Sequence, residues 1–395
     1  AGLTAAAAVQ TLRDEGFDGR LLVVGEEPHV PYERPPLSKE FLRGEQERAS
    51  LEIHPEGWFE ERAVEMLLGV RATAIDPGAT RLTLSSGEDV RYDALLIATG
   101  GRPRTLVPPS ERVVYLRTIE DADRLRWRLG ADRHVLVVGA GFIGSEVAAS
   151  ARDLGSDVTL LDVFDVPLQR ALGSQVGSVM ARVHEERGVT LRMGDAVASI
   201  EERDDAVAVR TDSGRVVEGD VAVVGVSIVP NTELAEAAGI RVANGVVVDE
   251  RCRTSEPRVF AAGDVANHFH PLFGRQVRVE HFDNALKHGG AAARNMLGVG
   301  EAFADPHWFW SDQYDVNLQF AGDAEGADDL VLRGALEDRD GIGFYLRDGV
   351  VVACVALNRG RDVRRAMKLI ASRARPDVAA LGDEDVDLRS LVSSR

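Results

Sequence analysis

The amino-acid sequence predicts an α/β fold in two or three domains, and three observations carry the prediction. Ala1 to Arg13 reads as a small-residue helix, followed by a buried strand at Leu21 to Val24. The run HVLVV at His134 to Val138 is followed by a glycine turn, a helix pattern and a further strand, SDVTLLD. A chain of 395 residues is also too long for one ordinary hydrophobic core.

Composition narrows the class. The chain is 45% hydrophobic and 28% charged with 39 glycines, which fits a globular protein with many tight turns and excludes a disordered or collagenous one. A formal net charge of −18 disfavours general affinity for nucleic acid or an anionic membrane and leaves room for a local basic patch. The two cysteines, Cys252 and Cys354, make neither a disulfide scaffold nor a CxxC redox pair, so redox chemistry here needs a bound cofactor. No apolar run reaches the roughly 18 residues that span a bilayer, and AGLTAAAAV lacks a basic leader. A cytoplasmic protein, monomeric or weakly dimeric, is the expectation.

After the strand at His134–Val138, Gly139, Gly141 and Gly144 hold GxGxxG spacing in GAGFIGSE, with Phe142 and Ile143 opening the helix. Gly139 permits the tight turn, Gly141 lets a pyrophosphate approach the backbone, and Gly144 lets the helix pack on the strand. The helix N-terminus favours the negative charge. Asp162 follows eighteen residues after Gly144, where a carboxylate can accept from ribose hydroxyls. Val163 to Pro167 offer no arginine or lysine for a 2′-phosphate, which favours NADH over NADPH. This is a complete Rossmann-like unit.

The chain's opening reads as the same unit with its front removed. Ala1 and Gly2 would supply only the last positions of a GxGxAG turn, and Glu26, twenty-four residues after Gly2, would be its ribose-binding carboxylate. On this reading the first strand of the domain is expected to be missing. The expectation is a natural precursor with roughly ten more residues ahead of Ala1, carrying a short strand and GxG.

Six motifs then occur in order: PHVPYERPPLSKEFLRG, YDALLIATGGRPR, VLVVGAGFIGSE, VGVSIVPNTELA, CRTSEPRVFAAGDVA and EHFDNALKHG. Together they resemble the FAD-dependent NADH:ferredoxin reductases of oxygenase and cytochrome P450 systems. The resemblance implies a glutathione-reductase-like arrangement of two Rossmann-like domains plus a C-terminal α+β domain. The FAD domain would comprise residues 1–104 and 229–303, the NAD domain 105–228, and a flavin-covering domain 304–395.

It also implies roles. Arg34 in RPPLSK would bind FAD phosphate or adenine; Lys39 would sit near the flavin and pair with Glu146, and a lysine there stabilises negative charge developing on reduction. Ala98, Thr99 and Gly100 would approach the flavin. Asp264 in AAGDV would accept from a ribityl hydroxyl; a carboxylate just before a helix can also cap it, and capping alone is the alternative. A helix beginning near Asn284 would present backbone atoms around Ala285 to the flavin pyrimidine edge. Trp310, followed by SDQ, would lie close to the ring system. Gly225 falls in the VGVSIVP segment, whose backbone near Ile228 to Pro230 would join Glu146 in holding the nicotinamide. Lys39, Glu146 and Trp310 are thus the expected catalytic group, with FAD and NAD as cofactors.

Electrons would pass from NADH to FAD and then singly to an iron–sulfur ferredoxin. The basic stretch RGRDVRRAMKLIASRAR would dock it, with Arg361, Arg364 and Arg365 foremost; a solvated helix face is the alternative for that stretch. Alternatives for the whole chain are an NADH:rubredoxin reductase, an NADH oxidase, or a non-catalytic fragment unable to hold FAD. Related oxidases use a reactive cysteine where this chain has PLSKEF.

Overall fold

The computed structural model describes residues 1–392, which pack into two compact units. The first comprises Ala1–Glu33, Arg48–Arg102 and Val229–His307; the second comprises Arg34–Glu47, Pro103–Ile228 and the chain from Trp308 onward.

In the first unit the opening helix runs Leu3–Asp14, starting two residues later than the sequence suggests because Gly2 is its extended N-cap. Its alanines let it lie close against the helix Phe282–Met296: Ala6, Ala7 and Ala8 are buried, and a Cβ on Gly289 would come within 2.4 Å of the Thr4 carbonyl oxygen. Strand Leu21–Gly25 pairs in parallel with Val64–Leu68, and Leu95–Ile97 pairs in parallel with Val259–Ala261. A third sheet has the order Val246–Val248, Ala266–His270, Arg275–Arg278.

In the second unit five parallel strands form one sheet, in the order Thr190–Arg192, Asp157–Leu161, His134–Val138, Val221–Val224, Val113–Val114. Its central strands read as continuous apolar runs because both faces are covered, one by helices Ile119–Arg126 and Phe142–Asp153 and the other by the antiparallel sheet of Val197–Glu202, Val207–Thr211 and Val216–Gly219. Val135, Leu136 and Val137 are fully buried. A five-stranded antiparallel sheet follows, in the order Trp308–Gln313, Val316–Gly322, Val350–Leu357, Asp340–Arg347, Asp329–Ala335. One face of helix Gln169–Glu186 (Leu172, Val176, Val179, Met180, Val183) shares a core with Phe309, Leu318 and Val355 of that sheet. Phe142, at the start of helix Phe142–Asp153, which packs on the parallel sheet, also borders this core. Among the described residues no helix is long and apolar enough to cross a membrane.

Candidate functional site

Within the second unit the glycine turn has the conformation its spacing predicts. Gly139 takes φ +101°, and a Cβ there would lie 2.5 Å from the Gly225 carbonyl oxygen, so Gly225 is the close neighbour of the turn. A Cβ on Gly144 would overlap the Gly139 carbonyl oxygen at 1.8 Å, whereas one on Gly141 would meet nothing within 4 Å. The open space over Gly141 could hold a pyrophosphate. Helix Phe142–Asp153 begins directly after it with Gly141 as an extended N-cap, so first-turn amides point their donors toward the turn. Asp162 is fastened beside it, accepting from the Ala140 amide at 2.5 Å and the Phe164 amide at 3.0 Å. Ile143 is exposed, while Phe142 packs edge-on against Phe309, with ring centres 4.6 Å apart.

The same helix carries Glu146 into a buried cluster. The prolines at the start of the 3₁₀ turn Pro35–Ser38 stiffen the approach, and Lys39 follows it. Lys39 Nζ donates to Glu146 Oε2 at 2.9 Å, with both side chains about nineteen parts in twenty buried. Ser38 donates to the same oxygen at 2.5 Å, and Ser311 donates to Oε1 at 2.7 Å. Both carboxylate oxygens are therefore engaged, and the lysine has a fixed counter-ion. Behind Ser311 the chain of bonds continues: Gln313 Nε2 donates to Ser311 Oγ at 3.1 Å, and the His184 ring nitrogen Nε2 lies 3.0 Å from Gln313 Oε1. Burial lowers the His184 imidazole to about 4, partly offset by that Gln313 bond, so it is neutral near pH 7. Trp310, half-buried, stacks on Trp308 with ring centres 5.3 Å apart. Arg34 Nη1 donates to the Arg117 carbonyl at 2.6 Å.

In the first unit, Thr99 and Gly100 close a turn against Asn231: Thr99 Oγ1 donates to the Asn231 carbonyl at 2.7 Å, and the Asn231 amide donates to the Gly100 carbonyl at 3.0 Å. Ala98 precedes them, half-buried. Glu26 sits just past its strand with a mostly exposed side chain, 3.8 Å from Arg71.

Local structure differs from expectation at two positions. Asp264, expected just before a helix, lies inside the single 3₁₀ turn Gly263–Val265, whose N-cap is Ala262. The helix expected near Asn284 begins at Phe282, and the Ala285 amide is committed to the His281 carbonyl at 2.9 Å. The first-turn amides precede Ala285, and backbone donation at this helix end belongs to them. Asn284 emerges instead as a side chain of interest. It is buried, its Nδ2 donates to the Val279 carbonyl at 3.1 Å, and its Oδ1 meets no partner among the described residues. The motif EHFDNALKHG marked Asn284 only as a helix start and said nothing of its side chain.

The profile of the pyridine nucleotide-disulphide oxidoreductase family matches residues 1–289, and that of the reductase C-terminal domain matches residues 308–392. The chain belongs to the pyridine nucleotide-disulphide oxidoreductase family. It is 41% identical to the ferredoxin–NAD(+) reductase component of the anthranilate 1,2-dioxygenase system of Burkholderia cepacia, across 99% of this chain and 98% of that one. It is 37% identical to rhodocoxin reductase of Rhodococcus erythropolis, across 98% of this chain and 91% of that one. The crystal structure of the covalent putidaredoxin reductase–putidaredoxin complex superposes with a TM-score of 0.95 at 36% identity, covering 99% of this chain and 96% of that one. No disulfide redox pair exists in this chain: both cysteines are free and buried, and burial pushes their thiols up, that of Cys354 to about 12.

Proposed function

We propose that this chain is a flavoprotein oxidoreductase that passes electrons from NADH through FAD to a small iron–sulfur ferredoxin, which supplies an oxygenase or a cytochrome P450. The observation that carries the reading is the buried Lys39–Glu146 pair, held from three sides, on the helix that also opens the glycine turn. Relatives named as a ferredoxin–NAD(+) reductase component and as putidaredoxin reductase, similar over nearly the whole chain, support it.

FAD, when bound, supplies the change from paired to single electrons. The remaining chemistry falls to the chain. The open space over Gly141 and the amides that begin with Phe142 and Ile143 bind the NADH pyrophosphate, and Asp162 accepts from its ribose hydroxyls. Glu146 fixes the Lys39 ammonium, and a positive charge there would stabilise the negative charge that a bound flavin gains on reduction. Trp310 would lie close to that ring system. Gly2, Glu26, Arg34, Ala98, Thr99, Gly100 and Asp264 hold FAD, with the Phe282–Met296 helix start contributing near Ala285. On this reading, residues 1–104 and 229–303 form the FAD domain, 105–228 the NAD domain, and 304–395 the C-terminal domain. With both cysteines buried as thiols, no dithiol relay intervenes.

The ferredoxin docks on helix Gly360–Ala371, where Arg361, Arg364 and Lys368 are exposed and form no ion pair among the described residues. Arg365 is tied to Asp362 at 2.9 Å and contributes less. The test is NADH-dependent reduction of cytochrome c with and without candidate ferredoxins. Activity that rises steeply with one ferredoxin supports the reading; turnover indifferent to every ferredoxin, with NADH consumed by oxygen alone, contradicts it.

A further inference from the structure

Five of the chain's nine histidines lie between residues 268 and 307, and the proposed electron path uses none of them. Strand Ala266–His270 alternates buried and open positions, which puts His268 and His270 on one inward face. His288, from helix Phe282–Met296, and His307 complete the cluster. All four are buried, the most open being His307 at 7%. Ring centres lie 5.2 Å apart for His268 and His270, 4.7 Å for His270 and His307, and 5.7 Å for His268 and His307.

Hydrogen bonding sorts these rings into two kinds. His288 Nδ1 accepts from the Gly263 amide at 3.3 Å, so its proton sits on Nε2 and it is a donor. His270 is the reverse: its Nε2 lies 3.0 Å from the Asp305 carbonyl, to which only an N–H can donate, leaving the lone pair on Nδ1. A ring fixed by a backbone carbonyl in this way is oriented as metal-ligating imidazoles are. Neither nitrogen of His268 meets hydrogen-bond geometry among the described residues, nor does His307 Nε2; the backbone of Val277, the cross-strand neighbour of His268, lies nearby. Buried polar atoms left in this state are uncommon in native proteins and call for an unrecorded partner.

We propose that His268, His270 and His307 form a binding site for a divalent transition-metal cation, best suited to zinc, that pins strand Ala266–His270 to the segment ending at His307. One ligand nitrogen from each lies within 4.8 Å of the others. A zinc–nitrogen bond of about 2.1 Å brings such atoms somewhat closer, a shift of about 1 Å met by small ring rotations. Three imidazoles without thiolate or carboxylate select zinc, copper or nickel over magnesium or calcium. The bland alternative is an aromatic cluster around Phe303, on which His288 stacks at 5.0 Å.

The test uses the full chain without an affinity tag. After extraction with a chelator and titration with Co2+, the folded protein takes up about one cobalt per chain with the visible absorption of a low-coordinate nitrogen site, and Zn2+ displaces it. His268→Gln and His307→Gln each weaken binding by about a hundredfold or more, whereas His29→Gln binds as the parent does. Folded parent protein that shows no stoichiometric cobalt spectrum overturns the proposal, as do folded His268→Gln and His307→Gln variants that keep it. The parent measurement decides even where a variant does not fold.

Discussion

Glu146 is the residue on which most of the site depends. It compensates a lysine that is almost wholly buried, and breaking such a pair by removing one charge strands the other in a low dielectric. Glu146→Gln is expected to lower the unfolding free energy by about 3–5 kcal/mol in denaturant titrations, and a Lys39→Met, Glu146→Gln double variant to recover most of that loss; a single variant as stable as the parent would contradict the arrangement. His184 gives a pH signature. Its folded value of about 4 lies below the roughly 6.5 of a free imidazole, so the unfolded chain takes up the proton first as pH falls. The stability it contributes is complete above about pH 6.5 and is lost as pH falls toward 4. In His184→Gln the slope of unfolding free energy against pH in that window should drop by up to one proton; an unchanged slope would mean the ring does not titrate there. Lys39 and Glu146 were legible in the sequence through motif resemblance. Ser311, Gln313 and His184 were not, because their bonds join residues more than a hundred positions apart, which no local pattern records.

Local order was the most readable scale. The strand at His134–Val138, the turn at Gly139 and the helix from Phe142 follow from β-branching, glycine placement and the loss of periodicity between them. The two glycines of that turn differ in physical role, and the difference can be measured. Gly141→Ala adds a methyl where the chain leaves open space at an ordinary φ of −75°, so the melting temperature should hold while KM for NADH rises about tenfold or more. Gly144→Ala drives a methyl into the Gly139 carbonyl, so stability itself should fall, by about 1–3 kcal/mol. Equal stability losses in both would remove the distinction. The misread elements were short ones. A single 3₁₀ turn holds Asp264 where a helix start was expected, since three residues leave too little periodicity to separate a turn from a helix.

Across the whole molecule, the sequence showed that the first domain is interrupted but not which segments pack together. Arg34–Glu47 sits between two stretches of the first unit and belongs by packing to the second, because its apolar side chains, Leu42 among them, join a core with Val147 and Leu125. Net charge is another property of the whole. Against −18, an exposed cationic helix is a local exception that can steer an acidic partner. Arg361→Glu with Arg364→Glu should slow ferredoxin reduction several-fold, more so at low salt, and leave NADH oxidation by a small dye unchanged; equal loss of both rates would remove helix Gly360–Ala371 from the docking surface.

The central claim is that FAD held by this chain receives electrons from NADH. Anaerobic titration of the purified, FAD-saturated protein with NADH tests it most directly. The expected result is a yellow protein whose visible flavin absorption band bleaches with about one equivalent of NADH and recovers on adding oxidised ferredoxin. A protein that stays colourless after incubation with FAD, or a flavin band that NADH leaves intact, would contradict the account.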